Sequence, residues 1–185
     1  MIEARWKIES YEDTRNKILE LKAKQKGKYS ATDIIFIPKN NKSLNKEFIR
    51  VRSYIVNNWN TKNVVLTHKE TRWINNFKED IIAIKREFDK EQEAIKFIEE
   101  QYKNSLKELV RFKREGEDFE INNNKLFLET LEYLGPTIEI ETDSKELLID
   151  LEKQLALKER ITQSIPETIR LLKNNESLSR FSKKD

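Results

Sequence analysis

Ile2-Glu3-Ala4-Arg5-Trp6-Lys7-Ile8-Glu9 decides the reading of this chain, because apolar and charged residues alternate through it without a break. A period of two puts Ile2, Ala4, Trp6 and Ile8 on one face of a β-strand and Glu3, Arg5, Lys7 and Glu9 on the other. One face is built for burial; the other carries only charge. Turned outward, that charged face is a solvated surface, whereas turned inward it is a site.

Working outward from this strand, the same order of elements occurs twice. Tyr11 to Lys26 reads as a helix with Ile18, Leu19 and Leu21 on it, closed by Gly27, and strands follow at Thr32 to Ile37, stopped by Pro38, at Glu47 to Val56 and at Asn63 to Lys69. In the second half Ile81 to Asp89 is strand-like, and Lys90 to Leu109 is helical, with Ile95, Ile98, Tyr102 and Leu106 at intervals of three and four. Further strands fall at Leu109 to Arg114, Asp118 to Ile121, Lys125 to Leu131 and Thr137 to Thr142. Strand, helix and several strands, twice over, predict an internal duplication. The fold class expected is α+β, with about eight or nine strands, enough for a closed or nearly closed antiparallel barrel with helices outside. Asp143 with Glu146 has the spacing of a capping box ahead of the stripe Leu147, Leu148, Leu151 and Leu155, and Ser164, Pro166 and Glu167 open a last helix through Leu172. Residues 1–173 are read as one domain and 174–185 as a polar tail.

Composition removes several chemistries. The 185 residues contain no cysteine, which excludes disulfides, thiolate nucleophiles and zinc ribbons and fits a reducing cytoplasm. His68 is the lone histidine, so no His-rich metal centre or Ser-His-Asp triad can form, and any metal must rest on carboxylates. Gly27, Gly116 and Gly135 are not clustered, so a bound phosphate must be held by Lys and Arg side chains. With 36 basic against 33 acidic side chains the net charge is +3, too near balance for nucleic-acid binding through bulk charge. No stretch approaches the ~20 apolar residues of a membrane span, so a cytoplasmic protein is expected. Trp6 belongs to an apolar strand face and is expected in the core; Trp59 and Trp73 are open to either core or stacking roles. His68, on the opposite face from Lys69, is expected at the surface or in the core, and Lys22 to Lys28 as a solvated helix end.

Several strands place two charges two residues apart: Glu3 with Arg5 and Lys7, Arg50 with Arg52, Glu87 with Asp89, Arg111 with Lys113, Glu139 with Glu141. A single such pair is most simply a solvated outer face. The helices, however, must cover the apolar strand faces, Ile2/Ala4/Trp6 and Ile138/Ile140 among them, and that turns the charged faces toward a lumen. Charges of both signs buried together need partners or ligands. Carboxylates suit Mg²⁺ or Mn²⁺ and guanidinium and ammonium groups suit phosphate oxygens, so the pattern describes a metal-polyphosphate site.

The motifs in chain order resemble the CYTH superfamily, the triphosphate tunnel metalloenzymes. Glu3-x-Arg5-x-Lys7 is similar to the opening E-x-E-x-K of that family, Phe48-Ile49-Arg50-Val51-Arg52 to its Y-L-R-I-R strand and Leu66-Thr67-His68-Lys69 to its L-T-x-K strand. Arg86-Glu87-Phe88-Asp89 resembles the R-x-E-x-E region, Arg111-x-Lys113 the K-x-R pair with its members exchanged, and Glu129 stands where the family has Asp. Leu134-Gly135-Pro136-Thr137-Ile138-Glu139-Ile140-Glu141 resembles L-G-x-F-x-E-I-E, and Ser164 to Leu172 the terminal S-Y-x-x-L-L helix.

The resemblance implies an eight-stranded antiparallel tunnel. Glu3, Glu87, Asp89, Glu139 and Glu141 would hold Mg²⁺ or Mn²⁺ with Glu129 nearby, and Glu3, Glu139 and Glu141 would carry catalysis. Lys7, Arg50, Arg52, Lys69, Arg111 and Lys113 would clamp the phosphates of a small triphosphate-bearing substrate. An RNA 5′-triphosphate end is the one nucleic-acid partner implied, and dimers are common in the family, so a homodimer is a further expectation. Arg5 stands in the place of the middle glutamate, which either adds it to the clamp or weakens metal binding and catalysis. Three classes stay open: a triphosphatase, an adenylate cyclase of class IV type, and a polyphosphate- or nucleotide-binding module.

Overall fold

The structure, a computed structural model, describes residues 2–42, 44, 47–57, 63–74 and 77–181, and within these not the side chains of 56–57, 71–74, 77–80 and 176–181. Trp59 and the side chain of Trp73 thus lie outside the described residues, as do residues 182–185. The strands are β1 (Ile2–Lys7), β2 (Lys24–Pro38), β3 (Glu47–Asn57), β4 (Val64–Ile74), β5 (Phe77–Phe88), β6 (Leu106–Ile121), β7 (Asn124–Leu131), β8 (Gly135–Thr142) and β9 (Glu159–Ile161). The helices are α1 (Tyr11–Glu20), α2 (Glu91–Gln101), α3 (Lys145–Gln154) and α4 (Ile165–Phe181). The duplicated order is plain in this list, since β1-α1-β2-β3-β4 is followed by β5-α2-β6-β7-β8.

All nine strands join one antiparallel sheet in the order β5-β4-β3-β2-β6-β7-β8-β1-β9. Each half sends its first strand to the other: β5 lies beside β4, and β1 lies beside β8. The expected closed barrel is met in part. The sheet curves until β5 also meets β1, at the single register pair Glu3 with Lys78, and it is not closed along its length. The ninth strand, which the sequence did not suggest, pairs on β1 with Arg5 opposite Ile161.

Packing follows the alternation read from the sequence. Ala4, Trp6, Leu126, Leu128, Ile138 and Ile140 turn outward under α1 and α3, which supply Ile18, Leu148 and Leu151. Trp6 is fully buried there, and its indole donates to Glu152 at 2.8 Å. Ile34, Ile49, Val51, Val64 and Leu66 lie under Ala94 and Ile98 of α2. A third cluster, with Ile35, Ile37, Phe48 and Phe112, takes Ile169 of α4. Burying a side chain of this size contributes roughly 1.5–3 kcal/mol each, so these three clusters supply most of the apolar stabilisation of the fold. No described helix is long and apolar enough to cross a membrane.

Several local expectations are corrected. α1 ends at Glu20 rather than Lys26, and Gly27 sits inside β2 at a register shift rather than at a helix end; Lys24, Lys26 and Lys28 are exposed as expected, but on a strand. α2 stops at Gln101 because Lys103 and Asn104 take positive φ of 48° and 57°, which turns the chain into β6. Gly116 does not divide two strands but lies within the 16-residue β6, where a Cβ would meet the Leu128 carbonyl oxygen at 2.5 Å. Its missing side chain lets β7 approach, which explains a glycine inside a strand. Ser144, not Asp143, caps α3 by accepting from the Leu147 amide, and α4 continues nine residues past Leu172.

Candidate active site

The inward strand faces enclose a cavity of about 170 Å³. Its charged walls come from seven strands: Glu3 and Arg5 of β1, Asp33 of β2, Arg50 and Arg52 of β3, Lys69 of β4, Arg114 of β6, Glu129 of β7, and Glu139 and Glu141 of β8. These are five acidic and five basic side chains, so the pocket has no net charge of its own. Tyr29, Phe48, Phe112 and Phe127 add aromatic walls, and Gln163 and Ser164, ahead of α4, line one side together with Ile165 and Pro166 of its first turn.

Most of these charges form one alternating chain of ion pairs. Arg52 donates to the two oxygens of Asp33 at 2.7 and 2.9 Å. Arg114 reaches Asp33 at 2.9 Å with one nitrogen and Glu129 at 2.8 Å with the other. Glu129 also accepts from the Tyr29 hydroxyl and from Arg5. Arg5 in turn donates to the Thr137 hydroxyl at 2.9 Å and, through Nε and Nη2, to Glu139 Oε2 at 3.1 and 2.7 Å. Asp33 and Glu129 are 0% and 1% exposed, and each is matched by two arginines, which is what such burial requires. Burial alone would raise the Asp33 carboxyl, but Arg114 and Arg52 outweigh it and hold it well below the usual carboxylate range. Glu129 is held low in the same way, by Arg114 and Arg5 against burial.

Beyond the two ends of this chain the charges are less evenly matched. Oxygens of Glu3, Glu139 and Glu141 all lie within 4.8 Å of one another. Burial first, then Glu139 and Glu3, push Glu141 up to about 7. At the other end, burial and then the neighbouring Arg52 and Arg114 push the Arg50 guanidinium down to about 10, with Asp33 pulling the other way. Arg50 Nε is buried with no hydrogen-bond partner among the described residues. One end of the cavity therefore gathers oxygen donors that repel one another, and the other presents a buried guanidinium with donor capacity to spare.

The residues named from the sequence divide into two sets. Glu3, Arg5, Arg50, Arg52, Lys69, Glu129, Glu139 and Glu141 line the cavity, with Glu129 taken up by Arg5, Arg114 and Tyr29 and not among the clustered carboxylates. Lys7, Glu87, Asp89, Arg111 and Lys113 do not line it. Lys7 is exposed at the end of β1, opposite Glu159 of β9. Glu87 and Asp89 are exposed on and just after β5, the strand at the sheet's margin. Arg111 pairs outside with Glu91 at 2.9 Å and Glu108 at 3.2 Å, and Lys113 is exposed. On β6 the inward parity belongs to Phe112 and Arg114, and a shift of one residue moves every side chain to the other face. Tyr29, Asp33 and Arg114 also line the cavity and are not among the residues expected from the sequence. Two of them carried a signal: Asp33 is a lone charge heading Ile34-Ile35-Phe36-Ile37, and Arg114 shares its parity with the apolar Val110 and Phe112. His68 lies on the outer side, bonded to Glu47 and to the Tyr102 hydroxyl at 3.2 Å.

No sequence-family model matches the chain, and neither does any curated protein. Solved structures share its fold across nearly its whole length. The PH1012 protein from Pyrococcus horikoshii OT3 aligns with a TM-score of 0.73 at 24% identity, over 90% of this chain and 97% of that one. The PH1819 protein from the same organism gives 0.74 at 20% identity, over 94% and 98%. HpAC1 from Hippeastrum, described as a candidate adenylyl cyclase with a dominant triphosphatase activity, gives 0.68 at 17% identity, over 91% and 94%. The chain therefore shares the fold of these solved structures, and its ordered motifs resemble those of the CYTH superfamily.

Proposed function

We propose that the chain binds a divalent cation and the polyphosphate arm of a small substrate in the charged cavity and hydrolyses the triphosphate there. The observation that carries this reading is the placement of Glu3, Glu139 and Glu141, with oxygens within 4.8 Å of one another, in the same cavity as Arg50, Arg52 and Lys69. Three clustered carboxylates are the hard oxygen donors that Mg²⁺ or Mn²⁺ takes, and the upward push on Glu141 from its acidic neighbours is the repulsion that a cation would relieve. When bound, such an ion neutralises charge on the phosphoryl oxygens. Arg50 donates its unpartnered Nε to phosphate, and Lys69 adds a second cation on the adjoining strand. Asp33 holds Arg52 in place from behind. Positioned cations of this kind favour the charge that develops as the P–O bond breaks more than they favour the bound substrate. In this reading β5 lying against β1 makes the cavity a tunnel, with the substrate's remaining part outside it.

Inorganic triphosphate, ATP and thiamine triphosphate, each tested with Mg²⁺ and with Mn²⁺, form the deciding panel. Orthophosphate released only with the ion, and abolished by a chelator, is the expected result. Cyclic AMP and pyrophosphate from ATP would assign the site to cyclisation instead, in line with the other half of the HpAC1 description. Tight binding of triphosphate without turnover would make it a binding module, and neither binding nor turnover would overturn the reading.

A further inference from the structure

The contacts of Arg5 deepen this reading and rest on it. Arg5 Nε and Nη2 both donate to Glu139 Oε2, at 3.1 and 2.7 Å. Glu139 is also one of the three clustered carboxylates. One carboxylate thus faces two claims: a guanidinium attached to β1, and any cation entering the cluster. The other carboxylate that Arg5 touches, Glu129, is differently placed. It has Arg114 at 2.8 Å and the Tyr29 hydroxyl besides Arg5, and it lies outside the cluster. Arg5 is 7% exposed and cross-linked to two strands through Glu129, Thr137 and Glu139, so its charge stays in the cavity. It is also the charge that balances the pocket, since without it the five acidic groups would face four basic ones.

We propose that Arg5 is a built-in competitor for Glu139 and so sets how tightly the carboxylate cluster holds a divalent cation. Arg5 is in this sense a positioning residue, acting through Glu139 rather than on the substrate. A positive charge about one ion pair away from a bound divalent cation both repels it and occupies one of its ligands.

The test is Mn²⁺ alone, titrated calorimetrically into the full chain without any phosphate. Arg5→Gln should bind Mn²⁺ roughly tenfold or more tightly than the unaltered protein, since a charge at this range is worth at least that factor. Arg5→Lys, which keeps the charge, should stay near the unaltered affinity, and Glu139→Gln should lose binding. Because Arg5→Gln leaves Glu129 with one cation fewer, the pair Glu129→Gln and Arg5→Gln/Glu129→Gln repeats the comparison without that buried charge. Folded Arg5→Gln and double variants that bind Mn²⁺ no more tightly than their references would overturn the role of Arg5 while leaving the proposed function standing. If no variant and not the unaltered chain binds Mn²⁺, and triphosphate fails to bind as well, both fall together.

Discussion

Strands β3 and β4 hold the same places in the first half of the duplicated order that β7 and β8 hold in the second, yet the charges they bring to the cavity are opposite. The first pair carries Arg50, Arg52 and Lys69; the second carries Glu129, Glu139 and Glu141. Their outer faces do not differ in kind. Ile49, Val51 and Leu66 lie under α2 as Leu126, Leu128, Ile138 and Ile140 lie under α1 and α3. The fold is thus maintained by the outer faces, and the inner faces are free to diverge as long as buried charges find partners. Each wall also holds one exception of the opposite sign. Asp33 sits among the arginines, paired with Arg52 and Arg114, and Arg5 sits among the glutamates, paired with Glu129 and Glu139. These two exceptions stitch the halves together, whereas in the proposed reading the carboxylate cluster at one end and Arg50 at the other take the ligand.

The sharpest way to break that distinction is Asp33→Ala. It leaves Arg52 and Arg114 without the carboxylate they share, and urea denaturation should show a loss of about 3–5 kcal/mol, as for other broken buried pairs. Glu141→Gln should do the reverse. Phosphate release from triphosphate should fall roughly 100-fold with a cation ligand removed, while thermal stability holds or rises because Glu141 is repelled by Glu139 and Glu3. A stability loss as large as that of Asp33→Ala would show the cluster to be structural instead.

Acid should separate the same two sets of groups. The folded carboxyls of Asp33 and Glu129 are held low, so the stability they contribute is complete above the unfolded carboxylate range and disappears as pH falls through that range toward their folded values. Below about pH 4 the slope should reach up to about 1.4 kcal/mol per pH unit for each group, and Asp33→Ala should flatten it. A slope equally steep in Asp33→Ala would assign acid sensitivity elsewhere. The smallest effects belong to the outward parity of β6: Arg111→Ala and Lys113→Ala should change stability by no more than about 0.5 kcal/mol and leave triphosphate turnover within about twofold. A large loss of turnover in either would return these residues to the phosphate clamp.

The sequence alone carried the duplicated order, the separation of apolar and charged strand faces, and Glu3, Arg5, Arg50, Arg52, Glu139 and Glu141 of the cavity, because each depends only on a period of two or of 3.6 and on the chemistry of a side chain, whereas Lys69 and Glu129 followed from the resemblance of the motifs. Where that local signal was ambiguous, it misled. Arg111 and Lys113 matched a spacing, but the pairing of β6 with β2 and β7 sets which parity faces inward, and it selected Arg114. Gly27 and Gly116 read as breaks along the chain but proved to be places where strands shift register or approach closely.

The alternating chain from Glu139 to Arg52, the sharing of Glu139 between Arg5 and the carboxylate cluster, and the strand β9 laid on β1 were decided only in three dimensions. Arg5 and Glu139 are 134 residues apart, and Arg5 and Glu129 are 124 apart. No sequence period reaches that far. A charge's partner is fixed by which strands lie side by side, and that is set by the packing of apolar faces on the far side of the sheet.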